Sequence, residues 1–167
     1  MNNIVLCGFM GCGKSTVGKL LSDQTGMPLI DTDTYIETEA GMTVSEIFAS
    51  EGESGFRTRE SAACAALSNR GGCILALGGG AILNPQNAAV LKQGGTVVLL
   101  DIAPDTVKTR LKDDTTRPLL QRPDRDAAID ALFAARLPIY QAVADVIVDG
   151  KQDPQTVAAA ILHAVGL

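Results

Sequence analysis

The segment Gly8-Phe9-Met10-Gly11-Cys12-Gly13-Lys14-Ser15 constrains this chain more than any other feature. It fits G-x-x-x-x-G-K-[ST], a pattern that carries meaning only between a strand and a helix. Both flanks are present. Asn3 to Cys7 is an apolar run of strand length. Lys14 to Thr25 carries Val17, Leu20 and Leu21 on one helical face, with Gly26 as its stop. The glycines let the backbone wrap closely round a polyphosphate, so that successive N–H groups face its oxygens. The helix N-terminus adds partial positive charge. Lys14 is placed to reach the β- and γ-phosphates and the Ser15 hydroxyl to ligate Mg2+, while Gly11, Cys12, Gly13 and Thr16 complete the cradle. The segment reads as a nucleotide site rather than a Gly-rich turn. No Asn/Thr-Lys-x-Asp guanine-reading motif is present, which favours ATP over GTP.

Beyond this loop, short β-rich runs alternate with helical patterns, which predicts an α/β domain with a parallel sheet. Strands are expected at Pro28–Asp31, Cys73–Leu77, Thr96–Asp101 and Val146–Val148, in addition to the first. Thr43 and Glu46 form a capping box for a brief helix with Ile47 and Phe48. Further helices are expected over Ser54–Ser68, after Asn84-Pro85, over Pro104–Leu111 and Ala127–Val143, and after Asp153-Pro154. The stretch from Lys112 to Asp126 breaks this rhythm. It is polar, carries two prolines, and includes Arg117, Arg122 and Arg125. Such an insertion in a compact domain is usually a functional loop or lid.

Composition bounds the function classes. The 167 residues are expected to form one domain, with no repeat and no low-complexity tract. A net charge of -5 and few aromatic residues argue against nucleic-acid binding, and make each locally placed Arg or Lys informative. No apolar run reaches membrane-spanning length, and the opening residues lack signal-peptide features. Cys7, Cys12, Cys64 and Cys73 show neither a CxxC pair nor zinc spacing, so reduced thiols in a cytoplasmic protein are expected. A monomer is expected, since no apolar helix face is left over for a partner. Cys12 reads as a small residue filling the loop, and His163 as a surface residue.

The third strand ends in glycines, so it offers no Walker-B aspartate. Asp31, ending the second strand, is the best remaining acidic partner for the metal. Asp31-Thr32-Asp33 lies at a strand's C-terminal end, where open parallel sheets bind ligands. On an extended segment both carboxylates would face one cleft. Arg57 and Arg136 each offer a fork for a carboxylate, and each could equally be a surface ion-pair residue. Gly78-Gly79-Gly80 is either a tight turn or a stretch of backbone N–H groups offered to a ligand.

In order, the loop Gly8–Ser15, Asp31-Thr32-Asp33, Phe56-Arg57, Gly78-Gly79-Gly80, Arg117-Pro118-Leu119-Leu120 and Arg136-Leu137-Pro138-Ile139-Tyr140 resemble the shikimate kinase family. The resemblance covers essentially the whole chain and implies a three-layer P-loop NTPase fold, with a five-stranded parallel sheet flanked by helices and a mobile lid at about 112–123. It implies ATP-dependent phosphorylation of the shikimate 3-hydroxyl. In that family's terms Asp33 would bind the substrate hydroxyls and accept the proton of the attacking one. Arg57 and Arg136 would grip the carboxylate, beside Gly79 and Gly80. Asp31 would meet Mg2+ through water, with Ser15 as direct ligand. Arg117 would reach the phosphates from the lid, Arg110 would lie along the adenine, and Asp153 and Pro154 would border the base. Two rivals stand beside this reading: a kinase for another small hydroxy acid such as gluconate, and a non-catalytic ATP-sensing module.

Overall fold

The computed structural model describes the backbone of residues 1–167 and every side chain except those of Pro118 and Leu119. Five strands form one parallel sheet: β1 (Asn3–Cys7), β2 (Leu29–Asp31), β3 (Ile74–Ala76), β4 (Gly95–Asp101) and β5 (Val146–Asp149), in the spatial order β2-β3-β1-β4-β5. Register is fixed by pairs such as Ile4 with Ile74, Val5 with Val97, Asp31 with Ala76 and Leu99 with Ile147.

All five residues of β1 are buried. Successive strand side chains point to opposite faces, so a strand buried at every position must be covered on both sides. The helices supply that cover: α1 (Lys14–Thr25), α2 (Thr32–Ala40), α3 (Val44–Ser68), α4 (Pro85–Gly94), α5 (Pro104–Arg110), α6 (Arg125–Val143) and α7 (Pro154–Val165). α1 packs on α7, and α3 on α4. The main core joins β1, β3 and β4 to Val17 and Leu21 of α1, Leu91 of α4 and Ile161 of α7. This is the three-layer α/β architecture expected from the sequence.

Capping chemistry explains most helix boundaries. Thr43 and Glu46 form the reciprocal capping box, Asn84 caps α4 through the Gln86 N–H, and Asp153 caps α7 through the Thr156 N–H. α1 ends on Gly26 in the left-handed conformation. Two elements differ from expectation. Asp31-Thr32-Asp33 is not an extended segment: Asp31 is the N-cap of α2, its Oδ1 accepting the Thr34 N–H at 3.0 Å, and Asp33 sits in the first helical turn. The signals were a capping Asp, an acid in the first turn and a terminal glycine, Gly41, at φ 65°. Three threonines and a single buried aliphatic, Ile36, obscured the helical period. The brief helix and the long one that follows it run as one span, broken at Gly52 (φ 70°, ψ −176°). Ile36, Ile47, Phe56 and Ala63 form a second, smaller core between α2 and the two halves of α3.

Candidate active site

The C-terminal ends of β1, β2 and β3 open on a cleft of about 630 Å3. At its floor is the Gly8–Ser15 loop. Gly8, Gly11 and Gly13 all have positive φ, which L-side chains adopt at a cost. Gly13 is also the residue before α1, so the helix N-terminus faces the cleft directly. The Lys14 ammonium is held by the carbonyl oxygens of Gly8 (2.8 Å) and Phe9 (3.2 Å), folded over its own loop. Cys12 is buried, with its Sγ 3.5 Å from Lys14 Nζ, and it lines the cleft together with Ser15 and Thr16.

Opposite the loop lie Asp31 and Asp33. Asp33 Oδ1 is buried without a hydrogen-bond partner among the described residues. Burial pushes the Asp33 carboxyl up to about 6, helped by the negative charges of Asp31, Glu60 and Glu37 and opposed by Lys14. The glycine loop after β3 closes this side. A Cβ on Gly78 would stand 2.8 Å from Asp33 Oδ1, one on Gly79 3.2 Å from Arg136 Nη1, and one on Gly80 2.6 Å from Arg57 Nη1. The loop therefore has glycines where three charged side chains press on it. Gly78 and Gly79 line the cleft with Arg136. Gly80 and Arg57 lie just outside the lining, packed against each other.

Arg57 pairs with Glu60 at 2.8 Å, and that carboxylate is only 2% exposed. Burial raises the Glu60 pKa, and Arg57 counters the rise. Glu60 escaped the sequence reading, although a carboxylate three residues after Arg57 on one helix face was visible. Tyr140 donates to the Gly79 carbonyl at 2.6 Å, tying α6 to the same loop.

The far end of the cleft is built by Arg110, whose guanidinium bonds the carbonyls of Gly11 and Gly150 at 3.0 Å each. Gln152 and Pro154 line this end. Asp153 does not: its carboxylate is spent capping α7. Gln152 was not singled out from the sequence, since nothing but its position in a loop marks it. Arg117 reaches the cleft from the 112–123 segment and is paired with Asp114. Asp114 accepts from the Thr116 N–H at 2.8 Å, its hydroxyl at 2.9 Å and the Arg117 N–H at 3.3 Å, which folds a tight turn there. These bonds hold the Asp114 carboxyl below the usual range. His163 is exposed on α7, and the four cysteines are free and buried.

A Gly-rich Lys-Ser loop at a helix N-terminus, sharing one cleft with a carboxylate whose Oδ1 is buried, fits a P-loop phosphotransferase. The family model described as shikimate kinase matches residues 10–166. A shikimate kinase of Cupriavidus pinatubonensis is 42% identical over 96% of this chain and 84% of the relative's length. One from Symbiobacterium thermophilum is 43% identical over 96% of this chain and 94% of its own. Among solved structures, the shikimate kinase from Acinetobacter baumannii in complex with shikimate superposes with a TM-score of 0.92 at 38% identity, covering 99% of this chain and 93% of that one. The chain belongs to the shikimate kinase family, enzymes that phosphorylate shikimate with ATP.

Proposed function

We propose that the chain transfers the γ-phosphoryl group of ATP to the 3-hydroxyl of shikimate, giving shikimate 3-phosphate and ADP, with the cleft residues in the following roles. The acceptor oxygen forms a bond to phosphorus, the bond from phosphorus to the β–γ bridging oxygen breaks, and the hydroxyl proton passes to Asp33. The observation that carries the reading is the unpartnered, buried Asp33 oxygen in the cleft that the Lys14 loop opens on. A carboxylate kept proton-hungry near neutrality by burial suits a group that must orient a hydroxyl and take its proton.

Lys14 exchanges its loop carbonyls for phosphate oxygens, and Gly11, Cys12, Gly13, Ser15 and Thr16 present the loop and the first turn of α1 to the same anion. Arg117 leaves Asp114 to meet the transferring group, whose charge spreads over its oxygens in a loose transition state. Arg57 and Arg136 bracket the Gly79-Gly80 backbone and grip the substrate carboxylate. Arg110 and Pro154 border the base, joined by Gln152, while Asp153 shapes that loop by capping α7.

Ser15 and Asp31 fit Mg2+, since a hydroxyl and a carboxylate are hard oxygen donors beside a phosphate site. One Asp31 oxygen is committed to the Thr34 N–H, leaving the other for a metal-bound water. Held there, the ion would offset negative charge on the nucleotide phosphates. No described helix is long and apolar enough to cross a membrane. We place the enzyme in the cytoplasm as a monomer, in keeping with its free, buried cysteines.

Coupled ADP release with MgATP and shikimate, quinate, gluconate, a nucleoside monophosphate or water tests the assignment. Turnover dependent on shikimate, at least about a hundredfold above the other acceptors, is the expected result, well within what a site built to hydrogen-bond its substrate can discriminate. ATP binding without acceptor-dependent turnover would instead make the chain an ATP-sensing module.

A further inference from the structure

One oxygen of the carboxylate read above as the reacting group, Asp33 Oδ1, is buried and has no hydrogen-bond partner among the described residues. Its position is therefore set by the backbone beneath it. Two segments meet there, the first turn of α2 and the glycine loop leaving β3. Asp33 Oδ1 rests against Gly78, 2.8 Å from where a Cβ on that residue would stand. The strand ladder does not join these segments, because pairing of β2 with β3 ends at Asp31 and Ala76. One residue further, the Leu77 N–H turns to Leu6 of β1.

Thr32 makes the next rung. Its side chain is 1% exposed, and its Oγ1 accepts the Gly78 N–H at 3.0 Å. The hydroxyl thus replaces a ladder bond at the point where the chain leaves strand for helix. Gly79, the following residue, is bonded through its carbonyl to Tyr140 and packed on Arg136. The Thr32 bond therefore places Asp33 in the same rigid frame as the arginine opposite it.

We propose that Thr32 is a positioning residue for phosphoryl transfer, its hydroxyl locking the Asp33 turn onto the glycine loop so that the carboxylate meets the acceptor hydroxyl in line with the phosphate. The inference rests on Asp33 facing the acceptor in shikimate phosphorylation. Thr32→Val keeps the shape but turns a methyl towards Gly78, leaving a part-buried N–H without its partner and the joint free to open. A shift of the order of 1 Å at a reacting group costs roughly a hundredfold in rate.

The experiment is steady-state kinetics of the full chain with ATP and shikimate each varied, for the parent, Thr32→Val and Thr32→Ser. Thr32→Val is expected to lower kcat about tenfold or more and to leave the ATP KM within about twofold of the parent. Thr32→Ser, which keeps the acceptor oxygen, is expected to restore kcat to within about threefold. If Thr32→Val does not fold, Thr32→Ala against Thr32→Ser makes the same comparison, because the two differ only in the hydroxyl. A hydroxyl-free variant with parental kcat, a Ser variant as slow as its hydroxyl-free counterpart, or an equal rise in both KM values would overturn the proposal. A parent without shikimate-dependent turnover would overturn the underlying reading as well, so the two failures are distinguishable.

Discussion

At Asp33 the folded protein pushes the carboxyl from 3.8 up to about 6, chiefly by burial and then by the neighbouring Asp31, Glu60 and Glu37. A raised carboxylate pKa means that the folded state binds the proton more tightly than the unfolded chain does. Well below the unfolded value of 3.8 the group is protonated in both states and costs nothing. As pH rises towards 6 the unfolded chain ionises first, and above 6 the full cost of the buried charge is present. Asp33→Asn is therefore expected to stabilise the ligand-free protein at pH 7 by roughly 1–2 kcal/mol, discounted for water reaching the cleft, while removing the proposed proton acceptor. Urea unfolding at pH 4 and pH 7 measures this. A gain clearly larger at pH 7 than at pH 4, with turnover lost, is the expected pair of results, and an equal gain at both values would point to packing instead. The chemistry of this residue was legible in the sequence as a carboxylate beside a phosphate loop. Its missing partner was not, because whether an oxygen is satisfied depends on which backbone groups come within 3 Å of it.

Among the elements, α3 shows how one glycine sets the packing beside Arg57. Gly52 adopts φ 70°, ψ −176°, a region essentially closed to residues with a Cβ. The break lets the first half of α3 and the second half close on α2 around Ile36, Ile47 and Phe56. Nothing lies within 4 Å of a Cβ built on Gly52, so a substitution there meets only the backbone penalty. Gly52→Ala is expected to cost about 1–3 kcal/mol of stability. It should weaken shikimate binding more than ATP binding, because Arg57 rides on this helix while the Lys14 loop belongs to the main core. Thermal unfolding together with the two binding constants tests this, and an equal loss of both ligands would contradict the division. The helix halves were readable from a capping box and from spacing. α2 was not, because its helical period rests on the single buried aliphatic Ile36, and the small core that stabilises it depends on α3 folding back across it.

For the whole molecule, the 112–123 segment carries Arg117 to the cleft, and closure over the substrates is the expectation to test. Arg117 lies at the cleft while paired with Asp114, so under the proposed mechanism nucleotide phosphates would displace that carboxylate. Hydrogen exchange is expected to slow across 112–123 when ATP and shikimate are both bound, and unchanged exchange would remove closure from the mechanism. What the sequence by itself determined was everything carried by local order: the phosphate loop between strand and helix, the alternation that builds a parallel sheet, and the series of short motifs marking the family. These are short-range signals, since hydrophobic period, glycine placement and capping act over a few residues. Only the tertiary structure decided which groups meet. It brings Gly78 under Asp33, Arg136 onto Gly79 and Arg57 onto Gly80, buries Glu60 behind Arg57, and takes Asp153 out of the cleft in favour of Gln152. Those contacts join residues from different elements, and only packing the helices against the sheet sets their distances.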